Sequence, residues 1–172
     1  MVPDSNREHL AQCERLKRRR ILLTLLLVLV AGLALAQSAP KFWIRNLEGQ
    51  RFDSRKVGDA PIIVSFFFVH CVPCLKEIPE LHAFISEQLP EVHLLFIDPI
   101  KEDSKQDMIG FAERVGVPQK FFYKDSLGTV SRKFFTGIQQ AFPTIVGLKG
   151  RQELFRLSGL PEGALDQILE RL

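Results

Sequence analysis

Ile62-Ile63-Val64-Ser65-Phe66-Phe67-Phe68-Val69-His70-Cys71-Val72-Pro73-Cys74 is the stretch whose reading decides the fold. Its first eight residues are apolar on both faces apart from Ser65. That pattern predicts a central strand covered on both sides rather than a half-exposed one. Pro61 opens the run and the C-x-x-C pair closes it. Immediately beyond, Leu75, Ile78, Leu81, Phe84, Ile85 and Leu89 recur at helical spacing, which predicts a helix from about Val72 to Leu89. Pro79 inside it predicts a kink.

Outward from this core, Val92–Ile97 reads as the next buried strand, ending at Asp98-Pro99. Ser104 is placed to cap a helix that runs to about Val115 and stops near Gly116 and Pro118. Phe121–Tyr123 reads as a short extended piece and Asp125–Phe135 as a further helix. Pro143–Leu148 is a strand, Lys149-Gly150 a turn, and Glu153–Leu157 the returning strand; Gly159 breaks it, and Pro161–Leu172 is a terminal helix. On the other side, Phe42–Leu47 and Gln50–Phe52 flank Glu48-Gly49 as a hairpin. Strands alternating with helices, then a closing hairpin, give a three-layer α/β arrangement around a mixed sheet.

The N-terminus is built differently. Lys17-Arg18-Arg19-Arg20 precedes Ile21–Ala36, a run with no charge and with Thr24 as its one hydroxyl. A basic flank before an apolar run keeps the N-terminus in the cytoplasm and sends the downstream chain across the membrane. Ala34-Leu35-Ala36 satisfies the small-x-small rule for signal cleavage. At 16 residues the run falls between a signal core and a full span. Both a cleaved signal ending at Ala36 and a retained single-pass anchor therefore stand, the long pre-segment favouring the anchor. The expected organisation is a cytoplasmic segment 1–20, a membrane or signal segment 21–36, a linker 37–41 and one domain 42–172.

Of 23 basic and 20 acidic residues, six and three fall before Ala36, which leaves 17 of each in the exported part. A neutral domain lacks the basic face that nucleic-acid binding requires. The 14 Phe residues against one Trp and one Tyr predict a Phe-packed interior.

The chemistry rests on two of the three cysteines. Cys71 at the end of a buried strand, opening a helix, faces the first-turn amides and the positive end of the helix dipole, which favour thiolate. Such cysteines have pKa values lowered to roughly 3.5–7.5, and the thiolate is the nucleophile of disulfide exchange. Cys74 lies one helical turn on, placed to resolve a mixed disulfide made at Cys71. Half of a zinc site would need a second ligand pair, and His70, His82 and His93 show no ligand spacing. A structural disulfide closing a two-residue loop would make a poor staple. No cofactor and no metal are required. Cys13 precedes the apolar run and falls on the other side of the membrane.

Val64–Pro79, with its Cys71-Val72-Pro73-Cys74-Leu75-Lys76-Glu77-Ile78-Pro79, resembles the active-site segment of the TlpA/ResA-type thioredoxin-like proteins. The likeness extends from about Lys41 to Leu172, mainly in layout. It implies a thioredoxin-like fold and an exported thiol–disulfide oxidoreductase on the periplasmic or extracytoplasmic face of the inner membrane. Its partners would be extracytoplasmic protein thiols and disulfides, with electrons supplied by a membrane thiol relay. The resemblance further implies that Pro143 is a cis-proline opposite the cysteines, presenting a backbone edge to substrate. It also implies that Glu77 is a carboxylate placed to exchange protons with Cys74. Phe142, Val72 and Pro73 complete the expected substrate-contacting set, and Pro79 is the family's helix-kinking proline.

Two departures stand out. Thioredoxins proper carry a buried Asp six residues before the first cysteine, where this chain has Ser65, and a Trp before that cysteine, where it has His70. Ser65 cannot accept a proton at neutral pH, so that role shifts to Glu77 or to water.

The leading expectation is reduction or exchange of disulfides in exported proteins, cytochrome c maturation being a typical family task. The same fold also serves as a disulfide-introducing oxidase, and related proteins span roughly −270 to −120 mV. A copper-binding chaperone for respiratory-oxidase assembly is the non-enzymatic alternative, since soft thiolates suit Cu(I). Those relatives typically use C-x-x-x-C with a distant His. A peroxidase would need Thr where this chain has Phe68.

Overall fold

A computed structural model describes residues 39–135, 141–150 and 152–172. The expected cytoplasmic segment, the apolar segment 21–36, Cys13 and the first residues of the linker lie outside the described residues. The remainder falls in the compact unit Ser38–Leu172.

The buried run forms β3 (Ile62–Phe66), every residue of it buried. It is the middle strand of a five-stranded sheet with β4 (His93–Asp98), β5 (Phe122–Lys124), β6 (Thr144–Lys149) and β7 (Gln152–Ser158), in the order β5-β4-β3-β6-β7. The pairs β3–β4 and β4–β5 are parallel; β3–β6 and β6–β7 are antiparallel. The mixed sheet expected from the sequence is therefore the one formed. The hairpin of β1 (Trp43–Arg45) and β2 (Arg51–Asp53) forms a separate two-stranded sheet. The Leu47 amide ties it to the main sheet by donating to the Phe122 carbonyl at 2.9 Å.

Three helices pack on this sheet or at its end: α1 (Cys74–Gln88), α2 (Lys105–Val115) and α3 (Ala164–Arg171). The chain steps from β3 to β4 to β5 in one direction, and right-handed crossovers then deliver α1 and α2 to the same face. Their buried residues Ile78, Leu81, Met108 and Phe111 share one apolar cluster with Ile168 of α3, Ile63, Phe96 and both cysteines. The opposite face packs Val64, Phe66, Leu95, Ile97 and Val146 against Phe42 and Ile44 of the hairpin segment and Val130 and Phe134. Phenylalanine dominates as expected. Phe66, Phe67, Phe96, Phe111 and Phe122 are all wholly buried, each side chain contributing roughly 1.5–3 kcal/mol by leaving water.

α1 runs unbroken through Pro79. α2 starts on a complete capping box: the Asp107 amide donates to the Ser104 hydroxyl, and Asp107 accepts from the Ser104 amide. It ends at Gly116, whose left-handed φ of 68° suits a residue without Cβ.

The helix expected over Asp125–Phe135 does not form. A turn and a single 3-10 turn at Ser131–Lys133 occupy that stretch. The cause is Asp125, which is buried and accepts from the Val130 and Ser131 amides and the Thr129 hydroxyl. Those bonds satisfy the backbone without a helix, and Gly128 at φ 63° breaks helical geometry. The terminal helix begins at Ala164, three residues later than its Pro161 signal suggests, because Gly163 adopts φ 76°.

Candidate active site

β3 ends at Phe66, and the chain crosses the edge of the sheet through Phe67–His70 to reach Cys71. The Phe67 amide donates to Ile97 at 3.0 Å, the Val69 amide to Asp103 Oδ2 at 3.0 Å and the Cys71 amide to Phe68 at 3.0 Å. Three successive anchors thus fix the approach to the first cysteine. Val72-Pro73 makes a turn, and α1 opens at Cys74 rather than at Val72. Cys71 therefore sits just outside the helix and Cys74 is its first residue. Amides of the first turn are already engaged: Leu75 donates to Val72, and Lys76 and Glu77 to Pro73.

Cys71 and Cys74 form a disulfide, with Cα atoms 5.3 Å apart. That bond joins Cys71, just outside α1, to the first residue of the helix. Relative exposure is 2% at Cys71 and 0% at Cys74, so the little accessible surface belongs to the first cysteine. Around it the protein presents apolar side chains to water: Val72 is 74% exposed and Leu75 37%. Pro73, between the two cysteines in the chain, is exposed as well.

The second wall of the site comes from β6. Its register pairs Thr144 with Phe66, which carries Phe142-Pro143 alongside the Phe67-Phe68 segment. The Phe142–Pro143 peptide is cis, as the resemblance implies. The Phe142 ring meets Phe68 edge-on with centroids 5.5 Å apart, and Phe68 is the residue whose carbonyl holds Cys71. The Pro143 carbonyl accepts from the Gly159 amide at 2.9 Å.

Glu77 lies half-buried on α1, and its Oε2 accepts the Leu160 amide at 2.8 Å. A Cβ on the preceding Gly159 would stand 3.2 Å from both Glu77 carboxylate oxygens, and Gly159 has φ 74°. Glu77 is thereby built into the junction between α1 and the segment entering α3. Ser65, buried in β3 on the same face as Ile63 and Phe67, occupies the place where a thioredoxin carries its Asp. His70 is exposed; the Asp107 carboxyl on α2 is held below its usual range chiefly by its hydrogen bonds with Ser104.

Asp103 has no motif around it that marks it in the sequence; its bond to Val69 spans 34 residues. Among the described residues no group of three or more His, Cys, Asp or Glu side chains gathers as a metal site, and no helix is long and apolar enough to cross a membrane.

No protein-family model matches the chain, and no curated protein matches it. Solved structures do. A thiol:disulfide interchange protein of the thioredoxin family from Chlorobium tepidum TLS is 18% identical, with 80% of this chain and 96% of that one covered and a TM-score of 0.65. The exposed lipoprotein thioredoxin Etrx1 from Streptococcus pneumoniae is 17% identical over 77% of this chain and 100% of that one, at a TM-score of 0.62. A secreted Mycobacterium tuberculosis disulfide oxidoreductase homologous to E. coli DsbE is 20% identical over 76% and 92%, at a TM-score of 0.57. The mixed five-stranded sheet, the cis-proline and the strand-to-cysteine junction, together with this likeness over nearly the whole domain, make the fold of this chain thioredoxin-like.

Proposed function

We propose that the chain is a thiol–disulfide oxidoreductase acting on exported proteins, with Cys71 as the attacking and Cys74 as the resolving thiol. The observation that carries this reading is the Cys71–Cys74 disulfide at the start of α1, with Val72 and Pro73 between the two cysteines exposed. In the reduced protein the Cys71 thiolate attacks a substrate disulfide, forming a mixed disulfide and expelling one substrate thiolate. Cys74, deprotonated, then attacks the Cys71 sulfur, releasing the second substrate thiolate and closing the Cys71–Cys74 bond. Two electrons pass to the substrate, whose thiolates take up two protons. An external dithiol returns the protein to its reduced state.

Exposed Val72 and Leu75 and the half-buried Phe142 ring beside Phe68 offer an apolar surface rather than an enclosed pocket, while Pro143 itself is buried. Such a rim fits a polypeptide better than a small molecule. Glu77 is read as the group that exchanges a proton with Cys74. Export is supported by Lys17–Arg20 ahead of the apolar Ile21–Ala36, and by the secreted and exposed-lipoprotein relatives of the fold. In that compartment the electrons come from a membrane thiol relay, and cysteine pairs of apocytochromes are one suitable substrate class.

Trapping tests the reading. Cys74→Ala holds substrates as mixed disulfides through Cys71, and Cys71→Ala holds none. Absence of any captured protein from the exported compartment with Cys74→Ala would overturn it. Equilibration with glutathione tests the direction: a potential near −120 mV would mark an oxidase instead.

A further inference from the structure

Asp98 ends β4, one residue beyond the Phe66–Ile97 pair, and alternation along the strand turns it to the face of Leu94, Phe96 and the two cysteines. It is wholly buried. Its Oδ1 accepts the Ile100 amide at 2.7 Å and lies 3.4 Å from Lys124 Nζ. Its Oδ2 has no hydrogen-bond partner. The Asp103 carboxyl, also buried, faces it. Asp103 is the residue that holds the Val69 amide, two positions before Cys71.

Two buried carboxyl groups therefore meet beside one ammonium group. An unpartnered charged oxygen in that setting is strongly unfavourable. A proton between the two carboxyls removes the difficulty: the orphaned oxygen gains a partner, and Lys124 neutralises the one remaining charge. We propose that Asp98 and Asp103 share a single proton and act as a positioning pair, holding Val69 and through it the backbone that presents Cys71. The consequence for reactivity rests on the exchange reading proposed for Cys71 and Cys74; the pair itself does not.

Of the other charged groups on the elements around Asp98, Lys101, Glu102, Lys105 and His70 are exposed. β3 contributes none over Ile62–Phe66. On α1, Glu77 is bonded to Leu160 and His82 stacks on Phe121. Asp107 of α2 is held by Ser104, and Asp125 by Val130 and Ser131. Lys124 also donates to the Ile100 carbonyl, which fixes its ammonium beside the pair. Burial, opposed by Ile100 and Lys124 and reinforced by Asp103, lifts the Asp98 carboxyl to about 7. Loss of the shared proton then falls near neutral pH, and it sets two like charges against each other directly under Val69.

The test is an amide titration of the oxidised full-length chain by NMR, with the disulfide-exchange rate against a small dithiol as second readout. The Val69 amide shift is expected to move with an inflection near pH 7. Asp98→Asn, which cannot ionise, abolishes that inflection and leaves Val69 near its low-pH position. Asp103→Asn keeps an acceptor for Val69 and moves the inflection to lower pH, because the like charge that helps hold the proton on Asp98 is gone, so a poorly folding Asp98 variant does not spare the proposal. The exchange rate carries the same inflection in the parent and loses it in Asp98→Asn. A Val69 shift that is flat across neutral pH, or an inflection that stays in place in both variants, overturns the pair. An exchange rate of zero in the parent overturns the proposed function instead and leaves the Val69 result standing as the judge of the pair.

Discussion

Glu77 Oε2 accepts the Leu160 amide at 2.8 Å, and the residue before Leu160 donates its own amide to the Pro143 carbonyl at 2.9 Å. The helix that begins at Cys74 is thus linked, through two backbone amides in succession, to the cis-proline wall of the site. Neither link involves a cysteine, yet together they set how far the two walls stand apart.

Glu77→Ala removes the acceptor and is expected to lower stability by about 1.5–3 kcal/mol, the range for a hydrogen bond to a charged group. Glu77→Gln retains an oxygen for Leu160 and should melt close to the parent. If Glu77 takes the Cys74 proton, as proposed, Glu77→Gln slows exchange at neutral pH while its melting temperature holds. Equal exchange rates in the parent and Glu77→Gln would confine Glu77 to the structural link. Thermal melts and a dithiol exchange assay on the same preparations separate the two roles.

Legible and illegible features of the sequence divide along physical lines. β3 was legible because a run buried on both faces leaves a continuous apolar signature. Ser104 was legible because capping is local, with all its partners within three residues. Pro143 was legible only through resemblance, since nothing in Phe142-Pro143-Thr144 itself demands a cis bond. Asp98, Asp103 and the Leu160 end of the Glu77 contact were not legible. Their meaning lies in partners brought together by the fold, 34 residues distant for Asp103 and 83 for Glu77. Asp125 misled because its neighbours have helical spacing while its own carboxylate supplies the competing bonds.

Asp125 is buried and accepts from two buried amides and one hydroxyl. Asp125→Ala strands both amides, each at about 1–3 kcal/mol. It is expected to be among the most destabilising single substitutions in the chain and to loosen Val130 and Phe134 from the hairpin face. Amide hydrogen exchange at Val130 and Ser131 should accelerate ahead of the rest of the sheet. Uniform protection throughout would show that the loop holds without Asp125.

Gly147 has a steric reason to be glycine. A Cβ there would stand 2.1 Å from Phe155 Cε1, and the two residues are register partners on β6 and β7. The ring is buried and cannot swing clear as a long flexible side chain would. Gly147→Ala is expected to destabilise by about 1–3 kcal/mol through overpacking. The double variant Gly147→Ala, Phe155→Leu should recover part of that loss. Denaturant unfolding of the parent, Gly147→Ala, Phe155→Leu and the double variant measures the coupling, and additive losses would rule out this contact as the cause.

The buried carboxyl of Asp98 also predicts how stability varies with pH. Its ordinary value is 3.8 and burial lifts it to about 7. Between those values the folded state holds a proton that the unfolded chain has released, so unfolding is favoured progressively as pH rises. Stability from this group is greatest below about pH 4, declines through pH 7 and levels off above it. Asp53 acts with the opposite sign: Arg55 holds its carboxyl well below the usual range, so its contribution is present above about pH 4 and lost on acidification. The two windows hardly overlap. Chemical denaturation at a series of pH values should show unfolding free energy falling from about pH 4.5 to about pH 7.5, and Asp98→Asn should flatten that limb while leaving the acid limb in place. A parent and variant with the same slope across that interval would mean that Asp98 ionises no differently in the folded and unfolded chains.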